Sequence, residues 1–363
     1  MLAVSAGFAP VRMTTLARRR LALLAPLAAL VLVLVGLLGG AERERAPPVS
    51  GPTDLGLYAY AAAAAAHPLT YYPSVIAKQR RQGYELKPFV VVRPPALSFL
   101  LAALRTEAAR RAALALLAVA TLAAWWRRLG REGGRPLPRA LDVAALATGV
   151  LPAFAAQAPY LHEVWAGLLI SLSLALRRTD RFGLAVAVGL AAALIRELAA
   201  PYLVVMAATA LLGRRWREAG AWTLALGLFA AALAAHAHWV DALVLPSDHA
   251  GAGWLKLSGW PFVLHAAQWN GVLASSPGWL TAVAVPLALA GAASWDSPLG
   301  RRLAAVLLAY VAAFAVIGRP ENFYWGLMFA PLLPLGFARA CRGLAALPRY
   351  LNRSSGMASP RAA

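Results

Sequence analysis

Residues 184–213 read LAVAVGLAAALIRELAAPYLVVMAATALLG. Twelve apolar or small residues, Leu184 to Ile195, lead up to Arg196-Glu197, and sixteen uncharged ones, Leu198 to Gly213, follow. As one helix the stretch would run about 45 Å, too long for a hydrocarbon core of about 30 Å. Arg177, Arg178 and Arg181 flank it on one side, and Arg214, Arg215 and Arg217 on the other. Arginine clusters beside spans stay cytoplasmic, so both ends share a side and the chain must turn back between them. The reading is two short helices that meet near the outer face, with Arg196 and Glu197 at the apex. Pro201 helps to break the helix there. A charge at that depth must face protein or a wet cavity, because lipid cannot satisfy it. It is a functional candidate; the plainer alternative is an ion pair that stitches two helix ends.

The rest of the chain extends this pattern. Of 363 residues, 61% are hydrophobic and 14% charged, where a water-soluble domain carries about 25% charged residues. The expected fold is an all-α, polytopic integral membrane protein of about ten transmembrane helices with a large first extracytoplasmic loop. Apolar runs place the spans near 21–40, 110–126, 140–158, 163–176, 182–195, 198–213, 219–238, 278–294, 303–317 and 325–340. The run from Leu21 to about Leu38 exceeds the apolar core of a cleaved leader, about 7–15 residues, and is expected to remain as the first helix. Residues 1–350 form one membrane domain, and 351–363 (LNRSSGMASPRAA) read as a disordered cytoplasmic tail. The net charge of +20 does not imply nucleic acid, because the arginines lie in short groups between apolar runs and form no continuous basic face. Those groups are Arg12 to Arg20, Arg127 to Arg139, Arg177 to Arg181, Arg214 to Arg217, Arg301 with Arg302, and Arg339 onward. They put both termini of this multi-pass protein in the cytoplasm, and the alanine, arginine and leucine bias points to a bacterial inner membrane. The single cysteine, Cys341, excludes an internal disulfide.

Two outer loops are long, 41–95 and 239–277. Nine of the fifteen acidic residues fall on the outer side: Glu42, Glu44, Asp54, Glu85, Glu163, Glu197, Asp241, Asp248 and Glu321. Chemistry is therefore expected on the outer face. In the first loop, an alanine-rich helix is expected over 58–66, ended by His67-Pro68. Tyr71-Tyr72-Pro73 then makes a turn, and a second helix capped by Ser74 runs to about Gln79. Arg93-Pro94-Pro95 opens a short apolar helix. Glu42-Arg43-Glu44 reads as a solvated helix exit. His236 and His238, at i and i+2, do not share a helical face, so no metal site is assigned to them.

The first loop resembles a known family. Asp54-x-x-x-Tyr58, Tyr71-Tyr72, Gly83-Tyr84 and Arg93-Pro94-Pro95 follow one another after the first apolar helix. This order is similar to the first periplasmic loop of GT-C glycosyltransferases, a class that includes protein O-mannosyltransferases and the aminoarabinose transferase of lipid A. There the pattern is Asp-Glu-x-x-Tyr, an aromatic turn, then Lys-Pro-Pro-Leu. The resemblance covers about fifty residues closely and is loose elsewhere, at HEVWAGLL (162–169), IRELAAPYLV (195–204) and RPENFYWG (319–326). Leu55 stands where the family's second carboxylate would be, which leaves open whether a divalent cation is needed. No other cofactor is implied. Arg93 keeps the positive charge of the family's lysine.

The resemblance implies a sugar donor on polyprenyl phosphate and a lipid, polysaccharide or protein acceptor. It implies Asp54 as the general base that takes the acceptor's proton. Arginines would hold the departing lipid phosphate, and Arg93, Arg196 and Arg319 stand nearest the expected helix ends. Tyr58, Tyr71, Tyr72, His162, Glu163, Glu197, Asn322 and Tyr324 are the candidate substrate-binding residues, with Glu197 orienting Arg196 or touching the acceptor. No Walker loop, HExxH or CxxC is present. The alternatives are a transporter or flippase for a lipid or small solute, since broken helices with a charged apex also serve transport, and a non-catalytic partner in envelope assembly.

Overall fold

A computed structural model describes residues 15–38, 54–251, 253 and 255–356. The expected helix exit at Glu42 to Glu44 and the tail beyond 356 lie outside them. Fourteen α-helices follow in order among these residues: α1 (Thr15–Leu38), α2 (Asp54–Ala64), α3 (Tyr71–Arg81), α4 (Ala96–Ala103), α5 (Glu107–Arg131), α6 (Pro136–Val150), α7 (His162–Leu176), α8 (Gly183–Ile195), α9 (Ala200–Leu212), α10 (Trp216–Asp241), α11 (Gly259–Ala267), α12 (Gly278–Ser294), α13 (Pro298–Val316) and α14 (Leu333–Gly356). No strand forms among the described residues; only the isolated bridges Lys87–Ala250 and Leu255–Ile317 occur.

Among the described residues, four helical segments are long and apolar enough to cross a membrane: Glu107–Arg131, Pro136–Phe154, Trp216–Asp241 and Pro298–Val316. Large apolar side chains on them point outward, among them Leu116 on α5, Leu224 and Leu228 on α10 and Leu308 on α13. A water-soluble protein does not spread such faces into solvent, and hydrocarbon is the medium that accepts them. Other runs expected as spans form shorter apolar helices, including His162–Leu176, Gly183–Ile195, Glu197–Leu212 and Gly278–Ser294. A helix of 15 residues such as α7 rises only about 22 Å.

The segment that opened the sequence reading is two helices. α8 ends at Ile195, Arg196 is extended with φ −144° and ψ 114°, a 3-10 turn covers Glu197–Ala199, and α9 begins at Ala200. Pro201 sits in the first turn of α9, where a missing N–H costs nothing. α7 packs against α8, and α9 against α10.

Several expectations need correction. The span placed at 325–340 is not one helix: Pro320–Met328 is a 3-10 helix and α14 starts only at Leu333. The reason is close packing. A Cβ on Gly167 would overlap the carbonyl of Leu327, and one on Gly326 the carbonyl of Ala266. The 3-10 segment thus threads between α7 and α11 at backbone contact. α14 also continues to Gly356, into the stretch expected as a tail. In the first loop, α2 starts at Asp54 rather than Tyr58, because a carboxylate in the first turn complements the helix dipole. α3 starts at Tyr71 after Thr70, so Ser74 lies inside the helix and caps nothing.

The two outer loops of the sequence reading are clasped together. Arg80 gives Nε and Nη2 to the Asp248 carboxylate at 2.6 and 2.7 Å and also reaches the Leu243 carbonyl at 3.0 Å. Lys87 Nζ donates to the Pro246 carbonyl at 2.9 Å. The backbone joins in, with Leu86 N–H donating to the His249 carbonyl at 2.9 Å and Gly251 N–H to that of Lys87 at 2.8 Å.

Candidate functional site

Five segments meet above the α8–α9 break. α2 supplies Asp54 and Tyr58, which share a helical face at i and i+4. Arg93 precedes Pro94-Pro95, which bias it toward extended backbone; its carbonyl accepts from Tyr71 Oη at 3.4 Å. α7 opens with His162 and Glu163 in its first turn. The break supplies Arg196 and Glu197. The 3-10 helix supplies Tyr324 and Trp325.

The side chains form a connected network. Tyr324 Oη donates to Asp54 Oδ2 at 3.1 Å. Arg93 Nε donates to Tyr58 Oη at 3.1 Å, and Arg93 Nη1 lies 3.8 Å from Glu197 Oε1. Arg196 gives Nη1 to the same Glu197 oxygen and Nε to Glu163 Oε1, the latter at 2.6 Å. The guanidinium of Arg196 also lies over the Trp325 ring, 5.6 Å from its centroid. His162 meets Tyr58 edge-on at 4.9 Å between ring centroids. Arg196 and Glu163 are each 0% exposed, whereas Asp54 lies on the surface. Burial, together with Tyr58 and against the opposing Arg93, holds the Tyr324 phenol well above its ordinary pKa. Tyr324 therefore stays protonated and can keep donating to Asp54. Tyr84, beside Asp54, is pushed up to about 12, first by burial and then by the Asp54 carboxylate and Tyr58.

The charges of Arg93, Arg196, Glu163 and Glu197 balance, and Asp54 adds one negative charge at the surface. Glu163 Oε2, Glu197 Oε2 and Arg196 Nη2 are buried without a hydrogen-bond partner among the described residues. Orphaned polar atoms of this kind are rare and call for a water, ion or ligand. Among the described residues no group of three His, Cys, Asp or Glu side chains is placed to hold a metal ion.

The structure thus brings together Asp54, Tyr58, Arg93, His162, Glu163, Arg196, Glu197 and Tyr324. Other candidates sit elsewhere. Arg319 is bound to Glu85 at 3.1 Å, to the Gly253 carbonyl at 3.0 Å and to Glu321 at 3.7 Å. Asn322 spends its side-chain oxygen capping the 3-10 helix, accepting from Arg319 N–H at 3.1 Å. Tyr72 bonds His236 at 3.0 Å and stacks on Trp239, while Tyr71 only supports Arg93 from behind. Arg196 is fully buried between two carboxylates and the Trp325 ring, which keeps a phosphate from it as the site is packed here. The link between the Arg319–Glu85 pair and the second loop was invisible in the sequence, because no local spacing ties Glu85 to a residue 234 positions away.

No family model, curated protein or solved structure matches the chain. The fold and composition define the class: the described residues are all-helical, with four helices long and apolar enough to cross a membrane.

Proposed function

We propose that the protein is a membrane glycosyltransferase of GT-C type. It moves a sugar from a polyprenyl-phosphate donor to a lipid, polysaccharide or protein acceptor on the extracytoplasmic face. In this proposal the chain spans a bacterial inner membrane about ten times, with both termini cytoplasmic. The observation that carries the reading is an exposed carboxylate, Asp54, hydrogen-bonded to Tyr324 beside a buried ion-pair network that holds Arg93 and Arg196. An acceptor hydroxyl needs a base at the moment it attacks, and a departing phosphate needs fixed positive charge in a poorly hydrated site.

Within this reading Asp54 takes the proton, oriented by Tyr324. Arg93 is the phosphate ligand, because its contact with Glu197 is loose at 3.8 Å and leaves the guanidinium able to turn. Arg196 is reassigned as a positioning residue: it fixes Glu197, and through it Arg93. Tyr58 and His162 are buried against each other and support Arg93 from within rather than facing the sugar.

The test is a transfer assay on purified protein with a panel of radiolabelled polyprenyl-phosphate sugars and envelope lipid. Wild type should release label from one donor, and Asp54→Asn should lower the rate by at least about 100-fold. Transfer that survives Asp54→Asn would move the base elsewhere while keeping the enzyme. If folded wild type consumes no donor in the panel, the reading fails. The helix break at Arg196 favours a second reading, a lipid or solute transporter; it requires ligand movement across a sealed vesicle with no bond broken.

A further inference from the structure

The opposite ends of α7 and α8 hold a second charged cluster, independent of the glycosyltransferase reading. Arg177 follows α7, Arg215 precedes α10, and Arg302 lies near the start of α13. All three converge on a single carboxylate, Glu218. Arg177 occupies both its oxygens, at 2.8 and 2.5 Å. Arg215 Nε lies at 2.9 Å and Arg302 Nη2 at 3.8 Å. Three guanidinium groups against one carboxylate leave two uncompensated positive charges at a largely buried position. The Arg302 side chain is only 4% exposed, yet its Nε and Nη2 lack hydrogen-bond partners among the described residues. Its guanidinium points toward Glu218.

Glu218 lies on the wall of an open cavity of about 630 Å³, shared with Thr179, Asp180, Phe182, Arg215, Trp216 and Arg217; Arg177 and Arg302 stand behind Glu218 and do not line it. Two helices start at this cavity. α8 begins after Phe182 and α10 after Arg215, and neither start has a side-chain cap. First-turn N–H groups have no partner inside their helix, and their dipole favours an anion. The cavity's other acid, Asp180, is held by Arg178 at 3.1 and 2.8 Å, which offsets its charge. Burial first, and then the neighbouring Arg177, pull the Arg215 guanidinium below its ordinary pKa.

We infer that this cavity binds a phosphate-type oxyanion, either the phosphate of an anionic phospholipid headgroup or free phosphate. Arginine forks suit such a group because they pair with two of its oxygens at once. The cavity's place at the arginine-rich ends of the helices puts it where headgroups of the adjoining leaflet lie.

The experiment measures thermal unfolding of the full chain. One arm adds inorganic phosphate against chloride at matched ionic strength. The other compares nanodiscs of phosphatidylcholine with nanodiscs that also contain phosphatidylglycerol. Wild type should gain stability with at least one probe, and the apparent affinity should fall at least about tenfold in both Arg215→Gln and Arg217→Gln. Arg217 is exposed, so its substitution keeps the test valid if Arg215→Gln unfolds. Stabilisation by phosphate alone assigns the site to the free ion, by phosphatidylglycerol alone to the headgroup, and by both to either source. No gain with either probe, or an equal gain in wild type and variants, overturns the inference.

Discussion

Arg196 shows what one residue must do to survive at such depth. Its side chain is 0% exposed, and an isolated guanidinium could not be buried there. Two carboxylates and an aromatic face take the place of water. A buried pair of this kind adds little net stability, but removing one partner strands the other charge, at about 3–5 kcal/mol. Glu163→Ala should therefore destabilise the protein by about that amount in a denaturant titration in detergent. Arg196→Met should cost a comparable amount, and the double variant should cost clearly less than the sum. Additive losses would mean that the two side chains do not depend on each other. The adjacency of Arg196 and Glu197 was plain in the sequence. The partnership with Glu163 was not, because the two are 33 residues apart and only the packing of α7 on α8 brings them together.

At the scale of elements, the clasp between the outer loops is held by Arg80 and Asp248. The hydrogen bonds from Arg80 hold the Asp248 carboxyl down at about 2, against about 3.9 for an unfolded aspartate. A folded pKa below the unfolded one stabilises above the unfolded value and is lost as pH falls through the folded one. The clasp should be intact at neutral pH, weaken below about pH 4 and be gone near pH 2. Hydrogen exchange of residues 243–251 read against pH would show this, and Asp248→Asn should abolish the pH dependence. A flat profile in wild type would assign the loop's order to its backbone bonds instead. The elements themselves were partly legible. The break at Arg196 followed from the length of the apolar run and the arginines at its ends. The 3-10 path of Pro320–Met328 did not, because hydropathy reads 325–340 as one apolar helix. What prevents that helix is the backbone contact at Gly167 and Gly326.

For the whole molecule, the proposed orientation has a direct check in the lone thiol. Cys341 is exposed on α14, among the arginines expected on the cytoplasmic side. In sealed, right-side-out vesicles an impermeant maleimide should label it only after permeabilisation. Leu255 is 84% exposed beside the outer-loop clasp. Leu255→Cys on a Cys341→Ser background should label without permeabilisation. Reversed labelling would invert the topology and place the Asp54 cluster in the cytoplasm, away from any extracytoplasmic acceptor.

The sequence by itself determined the helical, apolar character of the chain, the arginine-marked turns and the need for a broken helix at Arg196. These follow from local quantities: hydropathy over a window, charge at its ends, and the rise of a helix. Only the tertiary structure decided which charges face one another. It gathered Asp54, Tyr324, Arg93, Glu163, Arg196 and Glu197 at one end of α7 and α8, sent Arg319 to Glu85 instead, and crowded three arginines onto Glu218 at the other end. Such pairings join residues far apart in the chain. They are set by how helices pack, and every buried charge must find its partner among the residues that packing delivers.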